Sequence, residues 1–253
     1  MKTADFTKRV SLALLVTSAL ALVFSVIYTS QVLAFIGLGL LFWGIITRYI
    51  VTGEYVKRIL LKTTSQSALQ ILNQTLTDLN YTGKAVYLPP RYQANIENNR
   101  ICITKNENAK LPTPEQTQKE TKTITSNPEW LLLTPSGNDL VQLFEKTLNT
   151  SFTKKDLSYM EQNLPKILVE ELEIAEDIKI ENADNLIRIS IENTAYTDFY
   201  KEPQPRNNMG SPLTSAIACA IAKATGKPVT IHKDQTTNDQ KTIETEYELM
   251  QEP

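Results

Sequence analysis

Residues 10–52, VSLALLVTSALALVFSVIYTSQVLAFIGLGLLFWGIITRYIVT, decide how this chain is organised. Two apolar runs, Val10–Thr29 and Val32–Thr52, flank a short uncharged link, and the only charge in the whole stretch is Arg48. A helix needs about 20 residues to cross the hydrocarbon of a bilayer. Lipid cannot satisfy free backbone groups, so runs of this length are stable there only as helices. The expectation is a transmembrane helical hairpin, with spans at about 10–29 and 32–52.

Charge predicts its orientation. Lys2, Lys8 and Arg9 precede the first run, and Arg48, Lys57, Arg58 and Lys62 follow the second. Cationic flanks stay on the cytoplasmic side. Both ends are therefore expected in the cytoplasm, in a multi-pass protein of the cell membrane, with only the turn facing out. Tyr28, Trp43, Tyr49 and Tyr55 fall near the expected interfaces, where amphipathic rings accumulate. Ala13, Thr17, Ala21 and Ser25 recur every four residues, and Gly37 and Gly44 share a face of the second run. Small residues of this kind let membrane helices approach closely, within the hairpin or in a homo-oligomer. A cleaved signal peptide is the alternative, with Lys8-Arg9 as its basic start and Ala19-Leu20-Ala21 as its cleavage site. The apolar run continues straight through that site, which favours the anchor.

Outward from the anchor the composition changes. Residues 1–62 hold seven Lys and Arg against two Asp and Glu; residues 63–253 hold 19 against 26. The first part reads as a membrane anchor with a juxtamembrane helix over 54–62. The second, 63–253, reads as one cytoplasmic α+β domain, long enough to bury its own core. Its acidic balance excludes nucleic acid as the natural partner. The basic residues beside the anchor suit a lipid bilayer.

Within 63–253, Ala68, Leu69, Ile71, Leu72, Leu76 and Leu79 have helical spacing, stopped by Asn80-Tyr81-Thr82-Gly83. KAVYL (84–88) and RICIT (100–104) predict strands. Residues 105–127 are polar and carry Pro112 and Pro114, which predicts a mobile loop. EWLLL (129–133) predicts a buried strand, and 138–148 a helix with Leu140, Val141, Phe144 and Leu148 on one face. A charged helix is expected over 154–163, and Pro165 is expected to open another through Leu172. The alternation in 174–180 and 186–191 predicts a hairpin about Asn182–Asn185. Residues 195–208 read as irregular. Ser211 and Pro212 are the N-cap and first residue expected of a helix over 213–225, apolar on nearly every side and stopped by Gly226. Such a helix is buried. Residues 229–233 and 242–249 predict a last hairpin about 237–239.

The motif Gly210-Ser211-Pro212-Leu213…Ala220…Gly226-Lys227-Pro228-Val229, set between two hairpins, resembles the C-terminal half of the 4-vinyl reductase type of small-molecule-binding domain. The resemblance covers about 174–249. Relatives of that type carry cysteines near the helix start and in the last hairpin; this chain has Thr214 and residues 234–241 there, none of them cysteine, so no metal or thiol role carries over. The whole chain also resembles a group of uncharacterised archaeal membrane proteins with an N-terminal hairpin and a GKAVYLPP segment, here Gly83–Pro90. That resemblance implies no activity.

Candidate chemistry is sparse. His232 is the only histidine and is expected to point away from the apolar face of its strand, so no catalytic base is proposed. Glu170, Glu171, Glu173, Glu176 and Asp177 read as a solvated face rather than a cation site. Ser136-Gly137 reads as an ordinary helix start, lacking the length and lysine of a phosphate loop. Tyr196, Phe199 and Tyr200 either line a pocket or pack in the core. Cys102 and Cys219 are isolated, without metal-ligand spacing, and Cys219 reads as a small buried hydrophobe. No catalytic residue, metal ligand or cofactor is assigned, ligand-binding residues stay unspecified, and the sequence leans against an enzyme. The expectation is a membrane-anchored module binding a small apolar ligand or a protein partner; the alternatives are a structural membrane component that self-associates, and a membrane-bound enzyme.

Overall fold

The structure, a computed structural model, describes residues 2–49, 69–92, 99–106, 109–119, 129–201, 209–237 and 239–250. The chain divides into two compact units, Met1–Lys57 and Arg58–Pro253.

In the first unit, α1 (Lys2–Ile27) and α2 (Gln31–Tyr49) form a helical hairpin around Thr29, whose φ of 46° is left-handed. α1 begins eight residues before the apolar run and so includes its basic flank. The spans Val10–Ile27 and Gln31–Arg48 are long and apolar enough to cross a membrane. The juxtamembrane helix expected over 54–62 lies outside the described residues. On α2 the packing seam is the expected one, at Gly37 and Gly44, and on α1 Ser25 is buried as expected, but the rest of the α1 stripe differs. Ala13 and Thr17 face outward, and Thr17 returns its hydroxyl to the carbonyls of Ala13 and Leu14. Among the described side chains of α1, from Val10 onward, the buried positions are Ser11, Ser18 and Ser25. Ser11 Oγ donates to the carbonyl of Gly44 at 2.9 Å, and Ser18 Oγ to that of Gly37 at 2.8 Å. Seven-residue spacing keeps a side chain on the seam of two helices crossing at a small angle, whereas a four-residue spacing drifts off it. Ser11 and Ser18 each meet a glycine, where the facing backbone is bare, whereas Ser25 donates to the Ser30 carbonyl at 3.1 Å.

The second unit is α+β. Its seven strands are β1 (Ala85–Leu88), β2 (Arg100–Thr104), β3 (Trp130–Leu133), β4 (Asp177–Ala183), β5 (Leu186–Glu192), β6 (Val229–Thr236) and β7 (Thr242–Leu249). They lie in the order β3-β2-β1-β6-β7-β5-β4, every neighbouring pair antiparallel. The helices are α3 (69–78), α4 (Pro114–Lys119), α5 (Asn138–Leu148), α6 (Leu157–Pro165) and α7 (Pro212–Thr225).

α7 is the centre of the core. Ser211 caps it, accepting from the Thr214 N–H, while Thr214 Oγ1 accepts from the Ser211 N–H, a reciprocal capping box. Gly226, at φ 67°, ends it. All but its first and last residues are buried. α5 approaches α7 closely at Gly137, where an added Cβ would fall on the backbone of Ala216 and lie 2.6 Å from the Pro212 carbonyl oxygen. Lys223 of α7, 3 % exposed, holds Glu145 of α5 at 2.9 Å. Glu145 also accepts from Ser151 Oγ and the Phe152 N–H, so both oxygens of its carboxylate are hydrogen-bonded.

β1, β2 and β3 are buried on both faces. Ala85, Tyr87, Ile101, Ile103 and Leu131 join the main core; Val86, Leu88, Cys102, Trp130 and Leu132 form a second cluster with Tyr92, against which Leu111 and Met250 pack. This is why those strands read as unbroken apolar runs, whereas β5 and β7 alternate. The polar stretch 105–127 is not a plain loop. Residues 107–108 and 120–127 lie outside the described part, but Pro112 and Thr117 are buried and 114–119 is helical. Thr113-Pro114-Glu115-Gln116 starts that helix as capping residues do: Pro114 needs no donor, and Gln116 Oε1 accepts from the Thr113 N–H at 2.9 Å.

Two more expectations shift. α6 begins at Leu157, capped by Asp156, which accepts from the Tyr159 N–H at 2.8 Å. Pro165 does not open a separate helix; α6 runs through it into π-helical turns over Lys166–Glu171. A proline has no N–H to place in the α ladder, and wider turns re-satisfy the neighbouring groups. The β4–β5 turn is only Asp184-Asn185, with Asp184 left-handed at φ 52° and Ala183 paired to Leu186.

Candidate functional site

Strand β6 creates a hydrogen-bonded cluster around a carboxylate that the sequence did not announce. β6 starts with Val229 and Ile231 facing the core. Its pairing with β7 then slips by one: Ile231 opposes Tyr247, but Lys233 opposes Glu246, which leaves His232 as an extra residue. A bulge re-aims every side chain after it. Asp234 therefore stands opposite Thr245 on the core-facing side, where unbroken alternation would have placed Lys233 and Gln235.

Three elements meet it there. Tyr200, in the 3₁₀ turn Ala195–Lys201, donates its hydroxyl to Asp234 Oδ1 at 2.6 Å, and Thr245 of β7 donates to the same oxygen at 2.9 Å. Thr214, in the first turn of α7, donates to Oδ2 at 3.1 Å. The Ser211 backbone assists. Behind this ring, Tyr247 Oη donates to the Thr214 carbonyl at 3.1 Å, and Tyr87 Oη to that of Met209 at 2.5 Å. Gly210 makes the approach possible. Its φ is 68°, and an added Cβ would lie 2.6 Å from Thr214 Oγ1 and 2.7 Å from Ile231 Cδ1.

As a residue Asp234 is half-buried, but its carboxyl sits among these hydroxyls. Burial pushes its pKa up to about 6, against the opposing pull of the Tyr200, Thr245 and Thr214 hydroxyls. Burial, reinforced by the neighbouring carboxylate, raises Tyr200 and Tyr247 well above the usual phenol value, so both remain donors. The cluster is an acid that exchanges a proton near neutrality inside a shell of neutral oxygen groups.

The other candidates do not join it. His232 projects outward with its side chain half-exposed, its Nδ1 4.0 Å from Glu248. Glu170, Glu171, Glu173, Glu176 and Asp177 are exposed, and Glu176 accepts from Asn193 Nδ2. The Gly137 N–H is taken by Ser215 Oγ at 3.1 Å, so it offers no anion site. The aromatic trio separates: Tyr196 stacks on Phe199 at 5.8 Å, while Tyr200 turns to Asp234. Burial raises the Cys102 thiol to about 12 and the Cys219 thiol higher still, which leaves both unreactive. Among the described residues, no group of three His, Cys, Asp or Glu side chains is placed to hold a metal ion. The sequence signal for the cluster was faint: His232-Lys233-Asp234 breaks the alternation begun by Val229 and Ile231, which reads as a strand ending rather than bulging.

An open cleft of about 340 Å³ lies on the opposite sheet face, lined by Lys179, Glu181, Arg188, Ser190, Lys233, Glu244 and Glu246 among others. Arg188 pairs with Glu246 at 3.1 Å, and Lys179 with Glu192 at 2.9 Å.

The architecture is that of an α+β unit on a chain that starts with two apolar helices. A family model for a domain of unknown function, DUF7982, matches residues 3–247, and the chain belongs to that family. No curated protein and no solved structure matches it.

Proposed function

We propose that the helix pair is a membrane hairpin and that it tethers the α+β unit in the cytoplasm as a binding module. One observation carries the reading: the helix pair is built inside out. Its buried positions are serines and glycines, while Val26 is 78 % and Phe35 80 % exposed. Water would penalise that arrangement, whereas lipid favours it. The basic residues flanking both spans favour cytoplasmic ends.

For the bound species, a protein partner is better supported than a small apolar ligand. The layer between α7 and the sheet is filled, with Ala216, Ile217, Ala220 and Ile221 fully buried, whereas the charged cleft of β4, β5 and β7 stands open. The order hairpin, 3₁₀ turn, small-residue helix, hairpin from β4 to β7 supports the resemblance to the vinyl reductase type of domain. The resemblance to archaeal membrane proteins belongs to the same reading.

The test uses the full chain in cells. Membranes washed with carbonate should retain it, and Ser30→Cys should react with an impermeant maleimide from outside, over a low background from the two buried native thiols. Release into the wash, or loss of the C-terminal unit to external protease, overturns the anchor reading. Cross-linking that repeatedly captures one partner, and loses it with Arg188→Glu, supports the binding reading; capture unchanged by that variant contradicts a role for the cleft.

A further inference from the structure

The β6 bulge directs a carboxylate into the unit at the point where three separate pieces of chain converge: the 3₁₀ turn, the first turn of α7, and β7. Among the described residues, every polar group facing it is a hydroxyl or a backbone amide. From the 3₁₀ turn comes Tyr200; from α7, Thr214 and Ser211; from β7, Thr245, with Tyr247 beyond; from β1, Tyr87. The charged residues of the 3₁₀ turn, Asp198 and Lys201, are 2.6 Å apart and pair with each other. On its own strand, His232 and Lys233 are exposed on the outer side of the bulge. Among the described residues no Lys, Arg or His pairs with Asp234.

A hydroxyl both donates and accepts, so the ring can hydrogen-bond the carboxyl whether charged or protonated. Charge itself is the difference: among the described residues the ionised form has no counter-ion to offset its desolvation. We propose that Asp234 is a proton-operated latch that holds the Ala195–Lys201 turn and the Gly210–Ser211 entry of α7 onto β6, tightest when the carboxyl is protonated. The direction follows from linkage. A carboxyl whose folded-state pKa lies above its unfolded value keeps a proton that the opened state gives up. Its stabilising contribution is fully present below the unfolded value, near 4, and declines as pH rises toward the folded value, about 6. Above that pH it no longer changes. The latch is thus weaker in a neutral cytoplasm than in an acidified one.

Hydrogen exchange of the full chain in phospholipid nanodiscs tests this. Exchange at 195–201, corrected for intrinsic pH dependence, should show opening roughly tenfold more favourable at pH 8 than at pH 5, the ratio for a two-unit shift across that interval. The β4–β5 hairpin serves as the reference and should not follow. Asp234→Asn, neutral at both pH values, should abolish the dependence. Thr245→Val removes one donor to the charged form and should move the midpoint upward while the fold persists. A wild-type segment indifferent to pH, an Asn variant that retains the profile, or an unmoved midpoint in the Val variant each overturns the latch.

Discussion

In the helix pair, hydroxyls and glycines are inside and Leu, Val and Phe are outside; in the α+β unit the order is reversed, with Ile, Val and Phe inside and charged rows on the solvent face of β4 and β7. On the proposed membrane reading, the two units differ in solvent more than in packing skill. Both bring small residues to the closest contacts: Gly37 and Gly44 face Leu22 and Leu15, and Gly137 faces Ala216. But in the first unit the seam is bonded by serine hydroxyls, as suits the proposed membrane setting, where contact between apolar surfaces would be no gain over contact with lipid. In the second, removing apolar area from water stabilises the fold by about 25 cal/mol per Å².

The same substitution should therefore have very unequal consequences in the two units. Phe144→Ala removes a fully buried ring from between α5 and the core and should cost about 3–5 kcal/mol, read from the denaturant midpoint of the second unit. Phe35→Ala, on the outside of α2, should leave hairpin packing unchanged; equal losses at the two sites would end the contrast. A smaller effect is expected at the glycines. A Cβ at Gly37 would meet Leu22 Cγ and Cδ2 at 2.8 Å, whereas nothing lies within 4 Å of one at Gly39. Gly37→Leu should weaken α1–α2 association by about 1–3 kcal/mol and Gly39→Leu should not, measured by steric-trap unfolding in bicelles. The smallest change is Ser18→Ala, which deletes the bond to the Gly37 carbonyl and should cost about 0.6 kcal/mol in the same assay. A cost several times larger would mean that the hydroxyls, rather than close packing, dominate the seam.

Much of this contrast was legible in residue patterns. The apolar runs at 10–29 and 32–52 located both helices, and Ser211, Pro212 and Gly226 marked the ends of α7 almost to the residue. These signals are local: a cap or a run of apolar residues acts within a turn or two of itself. The seam was misread because Ala13 and Thr17 are as small as Ser11 and Ser18, and size alone does not say which seven-residue stripe faces the partner. The helix at 114–119 was hidden by polarity, although Thr113-Pro114 and Gln116 carried its start signal.

The Asp234 cluster was illegible for a different reason. Asp234 and Thr245 carry no signal of their own in the sequence, Thr214 drew notice only for not being cysteine, and Tyr200 only as one of an aromatic trio that either lines a pocket or packs in the core. Their meeting depends on one extra residue in β6, and nothing in a single strand shows whether its partner strand follows it step for step.

The sequence by itself determined the division into an apolar helix pair and an acidic α+β part, the burial of α7, and the two C-terminal hairpins, because each follows from periodicity or end signals within a short window. Only the tertiary structure decided that β1 lies beside β6, that three strands bury both faces, that Ser11 and Ser18 bond to glycine carbonyls, and that a bulge turns Asp234 inward. Those outcomes rest on contacts between residues up to 145 positions apart, whose energies exist only once the chain has closed on itself.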